Sequence, residues 1–200
     1  MDDLVAEFAR AVPGAPGAEA VARDLIRRWQ EPHRHYHTLR HLSAMLSIVE
    51  GEAGPPEVVL ACWFHDAIYD PRRTGNEDAS ADLALAALGS LGTEGAEVAR
   101  LVRLTATHDP DPGDHSGQLL CDADLAILAA PAAEYAEYAA NVRREYAHVS
   151  DQNFRRGRAA ILKSLLDLPA LFHLDTHRST WEKRARANLD NELSVLTDPV

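Results

Sequence analysis

Hydrophobic residues recur along most of the chain at intervals of three and four positions. This spacing places them on one face of an α-helix, because the helix repeats every 3.6 residues. Leu4, Phe8 and Val12 mark the first such segment, and Leu189, Leu193 and Leu196 mark the last. No stretch of six residues alternates apolar and polar positions with the β-branched content of a strand. The pattern therefore predicts an all-α protein of about eight to ten helices.

Prolines, glycines and polar clusters divide this pattern into separate helices. A proline suits the first turn of a helix, so one helix is expected to begin at Pro55 or Pro56. The residue before a proline avoids helical geometry, so this helix should end near Tyr69 and Asp70, ahead of Pro71. Ser179 stands three residues before Glu182, a capping-box spacing that predicts the start of the last helix at Ser179. The predicted helices cover roughly residues 4–12, 18–30, 39–49, 56–69, 79–87, 93–108 and 119–128, one helix after Pro131 and two C-terminal helices.

Length and composition predict one soluble domain over residues 1–200. The chain has 200 residues, close to the usual size of one domain of roughly 150 residues. The longest apolar run, Val58 to Phe64, is far shorter than the roughly 20 residues of a membrane span, so we expect no membrane partner. The acidic start lacks the pattern of a signal peptide, and two cysteines cannot form a disulfide framework. We therefore expect a cytoplasmic location.

The charge balance excludes one class of partner. The chain carries 20 basic and 31 acidic residues, a formal net charge of −11, and only residues 143–200 are slightly basic. Proteins that bind a nucleic-acid polymer need a basic stripe, so we expect no such partner. A small anionic substrate remains compatible with this charge, because a few arginines or a bound metal can hold it.

Histidine is unusually frequent, with ten residues of which four lie between His33 and His41. His37 and His41 are four positions apart and would share one face of a helix. The pair His65-Asp66 is predicted to lie at the end of an apolar helix. His108 continues a predicted apolar face, which would direct it inward.

Two carboxylates, Asp122 and Asp124, fall within a short apolar segment, where buried charge needs a partner. Each feature alone has a simpler explanation, such as a surface histidine, a helix-end ion pair, a helix N-cap or a satisfied core histidine. Together, two histidines and two aspartates on apolar faces would neutralise one divalent cation. Such a set suits an octahedral Mn, Fe, Co or Ni ion with two open positions, and Mg is a further option.

The order His…His-Asp…Asp on helices resembles the HD-domain metal-dependent phosphohydrolases. Residues 61–70, Ala-Cys-Trp-Phe-His-Asp-Ala-Ile-Tyr-Asp, are similar to the central His-Asp helix of that family. Over residues 25–195 the chain resembles a subgroup of predicted HD-superfamily phosphohydrolases. The residues that carry this resemblance are Trp29, Pro32, Tyr36-His37, His41, Asn76-Glu77, Ser80, Thr107-His108, Asp122 to Leu125, Arg143 and Glu145-Tyr146. The resemblance implies a single HD-domain-like helical bundle.

The resemblance also implies a set of metal ligands: His41, His65, Asp66 and Asp124, with Asp122 as the alternative. Asp122 and Asp124 lie about 200° apart around a helix, so only one can face the ion. The segment from Tyr36 to His41 is similar to the Tyr-His-Asn-x-x-His stretch of cyclic-nucleotide phosphodiesterases, except that Thr38 replaces the asparagine. This likeness assigns metal binding to His41 and proton transfer to His37.

The remaining roles concern water and phosphate. In the guanosine-tetraphosphate hydrolase branch an acidic pair after His-Asp acts on the attacking water. The residues in that position are Tyr69 and Asp70, so one carboxylate of the pair is missing, and Asp70 or Glu77 is expected to orient or deprotonate the water. His108 is expected to assist His37, while Arg143 and Arg40 are the expected substrate-binding residues.

The expected activity is metal-dependent hydrolysis of a small phosphate ester, such as a nucleotide or a related monoester or diester. Two alternatives stay open: a non-hydrolytic, metal-dependent nucleotide-binding module and an iron oxygenase on the HD scaffold. The expected partners are a small anionic phosphate substrate and, as an open option, a second copy of the chain in a homodimer.

Overall fold

The computed structural model describes residues 2–198, and helices make up most of this range. Within that range it has ten α-helices, one short 3₁₀ helix at Ala126–Ala129 and no β-strand, which confirms the all-α prediction. None of the helices in this range is both long enough and apolar enough to cross a membrane. The α-helices are α1 (Asp2–Ala11), α2 (Ala18–Trp29), α3 (Leu39–Gly51), α4 (Pro56–Phe64), α5 (Asn76–Ser90), α6 (Ala96–Leu104), α7 (His115–Leu125), α8 (Ala132–Glu145), α9 (Asp151–Leu166) and α10 (Asp175–Thr197).

Several predicted boundaries agree with the structure because a local breaker sets them. Helix α1 ends two residues before Pro13, and α4 begins with Pro56 in its first turn, where its missing N–H leaves no helical bond unmade. Helix α8 begins directly after Pro131. These ends depend on backbone chemistry that the sequence shows directly.

Other predicted boundaries were wrong. Helix α4 ends at Phe64, about one turn before Tyr69, and α7 begins at His115, four residues before Leu119. Helix α6 ends at Leu104, so His108 lies outside it, with a positive φ of 52° and a half-buried side chain. His108 therefore does not continue the apolar face of α6.

The predicted capping box at Ser179 was also wrong. Helix α10 begins at Asp175, so Ser179 lies inside it and its hydroxyl donates to the carbonyl of Thr176 at 3.0 Å. The Glu182 carboxylate instead accepts from the backbone N–H groups of Leu171 and Phe172 in the preceding loop. A tertiary contact thus uses the carboxylate that the local pattern assigned to a cap.

The chain divides into two compact units, the first ending at Ala123 and the second beginning at Asp124. Two compact units can belong to one domain, so the single domain over residues 1–200 stays a prediction. In the first unit, α4 is the central helix: it contacts α1, α3, α5 and α6. Six of its nine residues are buried, Val58 and the five from Leu60 to Phe64, and the next residue, His65, is buried as well.

In the second unit, α10 packs against α9 and against the 3₁₀ helix. The amide of Asn188 donates to the carbonyls of Leu128 and Ala130, which ties α10 to the end of the 3₁₀ helix. The apolar core around this contact includes Leu162, Phe172 and Leu189, all fully buried.

A buried polar cluster joins α8, α9 and α10 in this unit. The Arg158 guanidinium donates to both carboxylate oxygens of Glu192, at 2.8 and 3.0 Å, and to the Tyr138 hydroxyl at 3.1 Å. Tyr135 donates its hydroxyl to the same carboxylate at 2.5 Å. Burial, reinforced by this bond to Glu192, raises the pKa of Tyr135, so the hydroxyl keeps its proton.

Replacing Arg158 with methionine is expected to destabilise the protein by about 3 kcal/mol. The physical reason is that Glu192, only 12% exposed, would keep its charge without its bidentate partner. Urea unfolding of wild type and Arg158→Met measures the difference. A loss below about 1 kcal/mol, as for an exposed ion pair, would contradict this account.

Candidate metal centre

Three of the predicted ligands converge in the first unit: His41, His65 and Asp66. Each offers one ligand atom, and these atoms lie within 4.8 Å of one another. The His41 and His65 Nε2 atoms are 3.3 Å apart, and His65 Nε2 is 3.3 Å from Asp66 Oδ2. Both histidines are buried, whereas the Asp66 side chain is 15% exposed, so the cluster has one accessible side.

His41 lies in the first turn of α3, with its ring oriented by two aromatic neighbours. Its Nδ1 is 3.2 Å from the Tyr36 hydroxyl, and its ring lies 6.1 Å from that of Trp29. A partner on Nδ1 is the usual means of fixing the orientation of a histidine whose Nε2 binds a metal.

His65 directly follows α4 and has one determined tautomer. Its Nδ1 is 2.9 Å from the carbonyl oxygen of Cys62, and a carbonyl can only accept a hydrogen bond. The neutral ring therefore carries its proton on Nδ1, and Nε2 presents a lone pair to the cluster. The Trp29 ring packs 5.3 Å from this imidazole, and its indole N–H donates to the Trp63 carbonyl at 3.0 Å.

Asp66 lies on the turn after α4, not inside a helix as the sequence suggested. Helix α5 holds this turn: the Ser80 hydroxyl accepts from the Ile68 N–H at 3.0 Å and donates to the Ile68 carbonyl at 3.2 Å. Asn76 binds both the N–H and the carbonyl of Asp70. These four bonds fix the loop from its far end, so Asp66 has a defined backbone position.

The donor set and spacing fit a divalent cation. With bonds of about 2.0–2.1 Å, neighbouring ligand atoms on one ion lie about 2.9–3.4 Å apart, depending on the ligand–metal–ligand angle. The 3.3 Å separation between the two Nε2 atoms falls in this range. Two imidazoles and a carboxylate, with no thiolate, suit first-row ions such as Mn, Fe, Co or Ni.

His37 lies beside the cluster, but not in the way that the sequence predicted. Helix α3 begins at Leu39 with Thr38 as its N-cap, so His37 precedes the helix and shares no helical face with His41. Its ring nevertheless lies 5.9 Å from the His41 ring and 4.2 Å from the Tyr69 ring. Its Nε2 is 3.9 Å from Asp66 Oδ2, and the side chain is 21% exposed. His37 thus combines closeness to the cluster with access to solvent.

Helix α7 carries both candidates for the fourth ligand. Asp122 is fully buried and belongs to the first unit, whereas Asp124 is half-buried and begins the second unit. Both lie within the same helix, so the angular argument that only one can face an ion still applies. The choice of Asp124 stays a prediction.

The expected water-activating residues lie between the turn that follows α4 and the start of α5. The Asp70 carboxylate accepts from the Arg72 backbone N–H at 2.9 Å, and Glu77 lies half-buried in the first turn of α5. His108 lies in the turn after α6. The catalytic roles of all three residues stay predictions.

The two arginines expected to hold substrate differ in their surroundings. Arg40 is exposed on the first turn of α3, next to His41 in sequence. Arg143 donates to the carbonyls of Tyr146 and Val149 and to the Asp151 carboxylate, and it stacks over the Phe154 ring at 4.8 Å. These contacts favour a structural role for Arg143 in the connection from α8 to α9, and its substrate-binding role stays a prediction.

Sequence reasoning missed Arg34, a buried arginine between α2 and α3. Its side chain is fully buried and donates to the backbone carbonyls of His37, Asp66 and Ala67. The sequence offers only one signal for it, Glu31 three positions earlier, and many exposed arginines share that spacing.

Comparison with known proteins adds no relative: no family model, no curated protein and no solved structure matches the chain. The functional argument therefore depends on the geometry of the site and on the resemblance in its motifs.

Replacing Tyr36 with phenylalanine is expected to weaken divalent-metal binding by roughly tenfold, the lower end of the usual cost of losing an outer-shell partner. The reason is that the hydroxyl holds Nδ1 of His41. Calorimetric titration with Mn²⁺ or Ni²⁺ measures the effect. Tyr146→Phe, in the second unit, is the control for loss of a tyrosine hydroxyl, and an equal loss in both variants would contradict the role of Tyr36.

Proposed function

We propose that the protein is a metal-dependent hydrolase of small phosphate esters, with nucleotides and related monoesters or diesters as the substrate class. The supporting observation is the convergence of His41, His65 and Asp66 at the end of the central helix. A carboxylate from α7, Asp124 or alternatively Asp122, completes the proposed ligand set. A bound divalent ion lowers the pKa of water and polarises phosphoryl oxygens.

The proposed role of His37 is to protonate the leaving oxygen of the ester. Its Nε2 lies 3.9 Å from Asp66 Oδ2, which places the ring beside a proposed metal ligand. Its partial exposure leaves a path for substrate to reach it. General acid catalysis needs both a proton donor and access to the reacting oxygen.

The proposed role of Asp70 or Glu77 is to orient or deprotonate the attacking water. Both residues lie at the end of the loop that carries Asp66, since Asn76 joins Asp70 to the start of α5. Arg40, exposed beside His41, is the proposed contact for the phosphate group. The net charge of −11 favours a small ester over a nucleic-acid polymer.

The decisive experiment is a turnover panel on protein stripped of metal and reloaded separately with Mn, Co, Ni, Mg and Fe. The substrates are nucleoside mono-, di- and triphosphates, cyclic nucleotides and simple phosphomonoesters. Metal-dependent release of phosphate or opening of a cyclic ester supports the proposal.

The same panel separates the two alternatives. Metal-dependent nucleotide binding without turnover would contradict hydrolysis and favour a binding module. Oxygen consumption by the iron-loaded protein would favour an oxygenase. Failure to retain any of the metals would overturn the proposed centre itself.

A further inference from the structure

The connection between α2 and α3 contains a charged side chain that is buried at its full length. The Arg34 side chain is 0% exposed, and its Nε and Nη2 atoms bind the Glu31 carboxylate at 3.1 and 3.0 Å. Burying a guanidinium costs several kcal/mol of desolvation free energy unless its donors are satisfied. A buried arginine at this position is therefore stable only if its donors find partners.

The remaining donors of Arg34 join two segments that are distant in sequence. Its Nη1 donates to the His37 carbonyl at 3.2 Å and to the Asp66 carbonyl at 2.9 Å, and its Nη2 donates to the Ala67 carbonyl at 3.4 Å. One planar group therefore binds the backbone of the candidate proton donor and the backbone of a candidate metal ligand.

Two aromatic rings hold the guanidinium in place. Its central carbon lies 5.4 Å from the Trp29 ring centroid and 5.3 Å from that of Tyr69, distances typical of cation–π contacts. The same rings contact imidazoles of the site: Trp29 lies against His65 of the cluster, and Tyr69 lies against His37 beside it. The position of Arg34 is thus coupled by packing to the imidazoles of the site.

We propose that Arg34 is a positioning residue that sets the distance between His37 and the metal ligand Asp66. This role rests on the proposed function, because it concerns the geometry of that metal centre. Arg34 acts through the backbone of the two segments and touches neither metal nor substrate. Lysine cannot replace it, since an ammonium group lacks the planar fork that reaches Glu31 and two backbone segments at once.

The test uses Co²⁺ as the probe, because its visible absorption reports on ligand geometry independently of activity. Folding is checked by circular dichroism for wild type, Arg34→Lys and Arg158→Lys. We expect Arg34→Lys to bind Co²⁺ roughly 10- to 100-fold more weakly than wild type and with an altered spectrum. Arg158→Lys, which changes another buried, ion-paired arginine, should keep the affinity and spectrum of wild type while losing stability.

A folded Arg34→Lys protein with the wild-type affinity and spectrum would overturn the positioning role and leave Arg34 a purely stabilising residue. Wild type that fails to bind Co²⁺ would instead overturn the proposed metal centre, and with it this role. If Arg34→Lys does not fold, Glu31→Ala takes its place, because Glu31 is 39% exposed and its removal takes away the carboxylate that Nε and Nη2 of Arg34 bind. That variant should also weaken Co²⁺ binding, and wild-type affinity in it would overturn the proposal.

Discussion

Asp66→Ala is expected to lose both metal and hydrolytic activity. Asp66 supplies the only carboxylate of the described three-residue cluster, and its Oδ2 lies 3.3 Å from His65 Nε2. Loss of a direct ligand should exceed the roughly 10- to 100-fold cost of losing an outer-shell partner. Metal content after dialysis and turnover on the best substrate of the panel measure the two effects.

The fold of this variant should survive, because Arg34 binds the backbone carbonyl of Asp66, which alanine retains. His33→Ala is the matched control: its side chain is 42% exposed, and its Nε2 lies 2.7 Å from the Tyr69 carbonyl oxygen and 3.8 Å from the Glu31 carboxylate, outside the cluster. It should keep metal and activity close to wild type. Unchanged metal content in Asp66→Ala would refute the site.

His37→Ala is expected to separate metal binding from catalysis. The variant should keep the metal, because the cluster of His41, His65 and Asp66 does not include His37. Its turnover should fall by roughly 10²–10⁴-fold on an ester with a poor leaving group, the usual contribution of a positioned general acid. The physical reason is that an alkoxide leaves slowly unless it is protonated.

The leaving group provides the internal control for this prediction. A nitrophenolate needs little protonation, so the loss of turnover in His37→Ala should shrink on nitrophenyl phosphate. Full metal content with equal rates of wild type and variant on both kinds of ester would end the proton-donor proposal. His37 would then be a structural residue of the turn before α3.

The three variants at the site differ in a way that identifies each role. Asp66→Ala should remove the metal, His37→Ala should slow turnover with the metal in place, and Arg34→Lys should weaken the metal and alter its spectrum. If the three substitutions acted only by destabilising the fold, every variant would lose metal binding, turnover and the wild-type spectrum together. The pattern therefore separates ligand, proton donor and positioning residue.

The sequence by itself determined the all-α class, most helices and three residues, His41, His65 and Asp66, that the structure brings together. Helical periodicity and breakers such as Pro56 act within a few residues, so they can be read without knowing the fold. The choice of His41, His65 and Asp66 came from residue types that bind metals, on segments expected to be buried, and from the resemblance to the HD-domain phosphohydrolases.

Only the tertiary structure decided how the site is held together. Helix α4 ends at Phe64, and the turn that follows is bound by Ser80 from α5 and by Arg34 from the α2–α3 connection. His37 lies beside this turn, with its carbonyl bound by the same Arg34, and shares no helical face with His41. The bonds to this turn join residues 12 or more positions apart, and no local pattern specifies which distant donor a buried carbonyl will find. The free energy of satisfying such groups depends on the packed fold as a whole, and for that reason Arg34 could not be recognised from the sequence.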